Sequence, residues 1–329
     1  MASTVSESSN VISVPAAPPA APSRGVEERV ASQSELAIVW SRFRRHRFAL
    51  IGLGALLFMV LVATFAPLAP YGPNEIDRTI TDPQFLSHGF APPSPRHWFG
   101  TDELNRDLFS RLLWAGRISL AVGFLTVGIG ATIGIIIGAL AGFYGGWADT
   151  LLMRVADLFL SFPFLPTLIL ISAMLHQYKF NADVTLVQVS TIVSVLALLG
   201  WMDTARLVRG QFLSLLNRDF VTAARALGAS GPRIMLVHLI PNSLAPILVA
   251  ASLNVGGFII AESAISFLGV GVSPPTASWG SMLADFQSYL RYSAIAVLLP
   301  GGAIFITVMA INFVGDGLRD ALDPWLRNR

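Results

Sequence analysis

Residues 220–242 read "FVTAARALGASGPRIMLVHLIPN", and their interpretation decides what kind of chain surrounds them. Phe220 to Ala229 are mostly strong helix formers, and Ala223, Ala224 and Gly228 leave one narrow side almost free of side chains. Ser230-Gly231-Pro232 then breaks the helix. Glycine supplies a helix-ending conformation, and Pro232 suits the first position of a second helix running through Ile234 and Leu236. The expected product is a short helix-turn-helix over 220–234, held at both ends by segments long enough to cross a bilayer. Two uses fit this shape: a lever whose bare side presses into a groove of a soluble partner, or an amphipathic cover for the chain's own helix ends.

The rest of the chain belongs in lipid. Hydrophobic residues make up 53% of the 329 and charged residues 13%, with a mean hydropathy of +0.63; ordinary soluble domains carry about 25% charged residues. Six stretches meet the requirement of roughly 20 apolar residues per helical crossing: Phe48–Leu68, Ile118–Tyr144, Leu151–Leu175, Val184–Met202, Leu239–Leu268 and Tyr292–Val314. An even count puts both termini on one side. Arginines gather in the N-terminal flank, in the 203–238 connection and in the tail (Arg319, Arg327, Arg329), so the positive-inside rule places these parts in the cytoplasm of a multi-pass plasma or inner membrane protein. The margin is modest, because Arg78, Arg96, Arg106, Arg111 and Arg117 lie in the first outer loop, partly balanced by acids.

Five regions follow from this pattern. Residues 1–34 are rich in Ser, Ala and Pro and are expected to be a disordered cytoplasmic tail without a cleaved export signal. Residues 35–69 hold the first span, preceded by Leu36, Val39, Trp40 and Phe43 at helical spacing, which suits either an interfacial helix or a plain basic flank. Residues 70–117 form an extracytoplasmic loop, 118–315 the core with the 220–234 segment, and 316–329 a cytoplasmic tail. In the second span Gly130, Gly134, Gly138 and Gly142 recur every fourth residue and form a smooth ridge for close helix packing, within the chain or against another subunit.

Catalytic chemistry is not expected. The chain has no cysteine, no paired histidines at metal-ligand spacing and no Gly-x-x-x-x-Gly-Lys-Ser/Thr loop, and its one lysine, Lys179, sits in "QYKFN". No cofactor or metal is implied, and any ATP hydrolysis falls to a partner. The net charge of +2 is too small to argue for nucleic acid. Ionisable groups at membrane depth are costly and are therefore pathway candidates. Arg154 and Asp157 are placed to pair along one helix face. Glu262, on the same half of its helix as Asn254, either lines a passage or bonds to a neighbouring helix. Pro163 and Pro166 are expected to kink the third span.

The 220–242 segment resembles the EAA motif of permeases in ATP-binding-cassette (ABC) importers: Glu-Ala-Ala, three residues, Gly, nine residues and Ile-x-Leu-Pro. Ala223, Ala224, Gly228 and Pro241 stand in register, while Thr222, His238 and Ile240 replace the motif's Glu, Ile and Leu. "FGTDELNRDLFSRLLWAGRISL" (99–120), "ESAISFLGVGVSPPTASWGSML" (262–283) and "VGDGLRDALDP" (314–324) are similar to the C-type subunit of the dipeptide, oligopeptide and nickel branch, with Asn105 where that branch usually has glycine. The resemblance covers roughly residues 38–329. It implies an all-α membrane protein with six transmembrane helices and the type I ABC importer permease (MetI-like) fold. It further implies a coupling helix whose Phe220, Ala223, Ala224, Arg225, Leu227, Gly228, Ala229, Ser230 and Arg233 meet a cytoplasmic ATPase. The implied partners are a B-type second permease, ABC ATPase subunits, an extracytoplasmic substrate-binding protein delivering di- or oligopeptides, and membrane lipid. Import of nickel or another small solute is the near alternative, and a stand-alone channel or secondary transporter the distant one.

Overall fold

A computed structural model describes residues 35–80, 82, 84–85, 89–176 and 183–322. The 1–34 tail, Lys179 and the tail arginines Arg327 and Arg329 lie outside the described residues. Regular structure among the described residues is helical: α1 Glu35–Phe43, α2 Arg47–Thr64, α3 Leu108–Tyr144, α4 Gly146–Ser161, α5 Phe164–His176, α6 Val184–Leu198, α7 Met202–Leu215, α8 Asp219–Ala226, α9 Gly231–Phe267, α10 Trp279–Phe286 and α11 Ala294–Leu322. The only extended pairing among them is two isolated bridges, Ile76 with Arg106 and Thr101 with Asp107.

Four helices, α2, α3, α9 and α11, are each long and apolar enough to span a bilayer. The other two expected spans are broken rather than straight. Helices α4 and α5 meet at 85°, and α6 and α7 at 43°. Counting each bent pair as one crossing gives six. The first break has a local cause: proline disfavours the helical region for the residue before it, and Phe162 is extended at φ −82°, ψ 134°. The anticipated kink of the third span is thus a full change of direction at Pro163, with Pro166 left inside the first turn of α5.

The glycine ridge is buried within the chain. It packs on α7, the most extensive contact between any two helices. A methyl group at Gly134 would lie 2.6 Å from Thr204 Cβ and 2.7 Å from the Trp201 carbonyl oxygen; at Gly138 it would overlap the Ala205 carbonyl and approach Val208 Cβ to 2.8 Å; at Gly142 it would meet Phe212 Cβ at 2.7 Å. Bare glycine therefore lets two backbones touch.

The loop between α2 and α3 is ordered by charge. Both ring nitrogens of His97 are hydrogen-bonded to carboxylates, Nδ1 to Asp107 and Nε2 to Asp77, each at 2.9 Å. Asp107 also caps α3 by accepting the Ser110 N–H at 2.7 Å. Asp102, fully buried, takes Arg106 Nε at 2.6 Å and lies 3.3 Å from Arg111 Nε, while Arg111 reaches Asp285 of α10 at 3.7 Å. Asn105 sits at φ +60°, which explains how it replaces glycine: after glycine, Asn is among the residues that best tolerate the left-handed region. Its Nδ2 donates to the Phe85 carbonyl at 3.0 Å.

The hydrogen bond from His97 holds the Asp77 carboxyl down at about 2. Burial opposes charge on His97, but the hydrogen bonds and charges of Asp77 and Asp107 outweigh it and raise its pKa above 6.5. A raised histidine stabilises fully below its unfolded value and loses that contribution as pH climbs through the folded one; a depressed carboxyl contributes above 3.8 and loses it only toward about 2.

Two outcomes follow. Gly138→Ala lowers the thermal midpoint of the purified protein despite alanine's gain of about 1 kcal/mol in helix propensity, because overpacking costs about 1–3 kcal/mol; Gly128→Ala, which meets open space, leaves the midpoint unchanged or raises it. Amide exchange over 97–107, corrected for its intrinsic rate, is slowest around pH 5 and quickens as pH rises past His97's raised pKa; His97→Ala removes that rise.

Candidate functional site

Helix α8 has eight residues. Val221 and Ala224 turn inward and join Phe212 of α7 with Ile234, Leu239 and Ile247 of α9 in one apolar cluster. The bare side read from the sequence is therefore divided: Ala224 faces the chain's own core, while Ala223, Arg225 and Gly228 are exposed. Leu227 is 88% exposed and Phe220 38%, so the outward surface is an apolar knob rather than a groove-shaped void. Gly228 takes φ +80° with open space where a Cβ would stand. Its N–H closes the last turn on Arg225 O at 2.9 Å, and the Ala229 N–H reaches Ala224 O at 3.0 Å. Ser230 is extended, Pro232 lies in the first turn of α9, and Arg233 is exposed. A Cβ on Gly231 would touch the Phe143 ring at 3.1 Å, so the turn rests against the end of α3.

Helix α7 carries this segment and is tied to α4. Arg209 donates to both oxygens of Asp149, the second bond at 2.7 Å, and Arg206 donates to Asp157. Here the sequence reading is corrected. Asp157 pairs across to α7, not along its own helix, and Arg154 is exposed with no carboxylate partner among the described residues. Arg206 and Asp157 are each about half exposed, so the pair contributes little stability by itself.

A cavity of about 520 Å³ opens where both helix breaks meet the middle of α9. Phe159, Phe162, Pro163 and Thr167 come from the α4–α5 break, Leu199, Gly200 and Asp203 from the α6–α7 break, and Asn254, Gly257 and Phe258 from α9. Asn254, a pathway candidate from the sequence, is one of these lining residues. Asp203 was not singled out from the sequence; an acid just after an apolar run, beside a glycine at a helix break, was the available signal.

Glu262 does not line this cavity. It is fully buried, and its carboxylate accepts from Ser119 Oγ of α3 at 3.0 Å and Ser266 Oγ at 2.7 Å. Ser119 in turn accepts the Trp279 N–H at 3.1 Å, and Ser266 accepts the Val272 N–H at 2.9 Å. Of the two roles open from the sequence, bonding to a neighbour is the one the geometry supports: Glu262 fastens α3, α9 and the start of α10 together.

This arrangement, a bundle of spans with a short helix-turn-helix projecting between α7 and α9, is that of a membrane transport subunit. Residues 134–328 match the family described as binding-protein-dependent transport system inner membrane component, and residues 34–93 match the N-terminal TM domain of oligopeptide transport permease C. The chain is 38% identical over 313 residues to the oligopeptide transport system permease protein OppC of Bacillus subtilis, covering 94% of this chain and 96% of that one. It is 42% identical over 298 residues to the di/tripeptide transport system permease protein DppC of Pseudomonas aeruginosa, covering 90% and 94%. The chain belongs to the family of binding-protein-dependent transport system inner membrane components.

Glu262→Leu strands two serine hydroxyls in the core and lowers the thermal midpoint by an amount equivalent to about 2–3 kcal/mol; Glu262→Gln, which keeps an acceptor, costs less than half as much. The pair of melts in detergent checks both.

Proposed function

We propose that the chain is the C-type permease subunit of an ATP-driven importer of di- and oligopeptides, forming half of a translocation path with a B-type permease. Cytoplasmic ABC ATPases grip α8, and an extracytoplasmic binding protein delivers the peptide. The observation that carries this reading is the mounting of α8: its inner side is locked into α7 and α9 by Val221 and Ala224, while Leu227 stands 88% exposed on the outer side. Relatives named as oligopeptide and di/tripeptide permeases, matched over nearly the whole chain, favour peptide over nickel as cargo.

Force on α8 passes to α7 through the shared apolar cluster and from α7 to α4 through Arg209 and Asp149. Both helix breaks around the cavity are therefore connected to the same lever, which gives ATP-driven closure a route to opening and closing the path. The termini and α8 face the cytoplasm in this scheme.

Leu227→Glu replaces the exposed knob with a charge. Co-purification of the ATPase subunits and peptide uptake both fall at least tenfold while membrane insertion is unchanged. Gly228→Trp does the same, whereas Gly228→Asn, which accepts the left-handed backbone, retains most of both. Normal co-purification with normal uptake in Leu227→Glu and Gly228→Trp would refute the docking role.

A further inference from the structure

We infer that Asp203 is the point in the translocation cavity that recognises the α-ammonium group of the transported peptide; this rests on the peptide-permease reading above. The first support is depth. Thr204, the next residue, packs on Gly134 of α3, ten residues before the helix ends at Tyr144. Ten residues of helix span about 15 Å, half of a hydrocarbon core about 30 Å thick. Tyr144 and Trp147, both well exposed, mark the interface end of that measure.

The second support is charge. Asp149 and Asp157 are held by Arg209 and Arg206, and Glu262 is bonded by serines. Asp203 has no hydrogen-bonding or ionic partner for its carboxylate among the described residues and is exposed on the wall of the 520 Å³ cavity. Arg206, one turn further along α7, is committed to Asp157. An uncompensated carboxylate at this depth is costly unless it faces water or a cation.

The third support is the remaining lining. Phe159, Phe162 and Phe258 offer apolar surface without a second charge, and Asn254 can both donate to and accept from a peptide group. An unblocked peptide of any sequence presents an α-ammonium, whose pKa of about 7.7–8.0 keeps it largely cationic at neutral pH. One fixed anion with one amide and aromatic walls recognises what all such peptides share and ignores their side chains. A role confined to the helix dipole, as an acid in the first turn of α7, is the competing account.

The test uses the complete importer in proteoliposomes with ATP inside and trialanine outside. Asp203→Asn cuts uptake at least tenfold, and Asp203→Glu restores it to within threefold of wild type. Because the chain has no cysteine, Gly257→Cys, on the same cavity wall where a Cβ meets open space, provides its sole thiol and leaves Asp203 intact. A water-soluble cationic methanethiosulfonate labels it, and trialanine-loaded binding protein slows that labelling at least fivefold during turnover. Uptake by Asp203→Asn within twofold of wild type, with or without a fall in thermal stability, would overturn the assignment in favour of the dipole role. Labelling that is absent or indifferent to peptide would overturn it as well. A wild-type complex that takes up no peptide would instead sink the peptide reading itself.

Discussion

The close approach of α3 to α7 is the constraint on which the remaining geometry depends. Where Gly134, Gly138 and Gly142 meet α7, α3 contributes no side chain, so its main chain lies directly against the backbone and Cβ atoms of α7 and sets the separation of the two helices. Association of helices in lipid draws on packing and hydrogen bonding, because apolar side chains gain little by leaving one apolar medium for another. Contact along three successive turns therefore fixes α7 in rotation and height together. Its arginines then point at Asp149 and Asp157 of α4, and its last turn presents Phe212 to α8.

Helix α3 also carries position from one end of the molecule to the other. Its first turn is capped by Asp107, which belongs to the same cluster as His97 and Asp77. Its last turns place Phe143 against Gly231, the residue on which α9 starts. Between them, Ser119 meets Glu262. A rod of 37 residues fastened at three levels resists bending. Helices α4, α6 and α7 lie against that rod, and the breaks of the α4–α5 and α6–α7 pairs frame the cavity.

What was legible in the sequence follows from the range of each signal. Periodicity reports which residues share a face of one helix and made the ridge from Gly130 to Gly142 visible, while the backbone preferences of glycine and proline made the break at Ser230-Gly231-Pro232 visible. Periodicity is silent about which neighbour a face meets. Arg154 and Asp157 share a face, yet Asp157 is turned to Arg206, 49 residues away along the chain. Ala223 and Ala224 look alike as small residues, and only the position of α7 and α9 decides that Ala224 is covered and Ala223 is not. Asp203 escaped notice because a lone acid after an apolar run reads as the end of a span until the bend of α6 into α7 brings it to a cavity wall.

Rigidity and compliance are placed in different parts of this chain. The base of α9, Ile234–Leu239, winds as a π-helix immediately after the turn that α8 rests on. Such a wide turn is uncommon and, within helices, frequently marks functional sites. It is buttressed on one side by Ile234 and Leu239 in the α7–α8 cluster, while Leu236 and Val237 stay exposed on the other. A push on α8 therefore meets a stiff path through α7 toward the glycine ridge and an irregular one through the foot of α9. Unequal resistance on the two sides of a lever turns translation into rotation. With α7 held on α3, that rotation would fall on α9, whose Asn254, Gly257 and Phe258 line the cavity opposite Gly200 and Asp203.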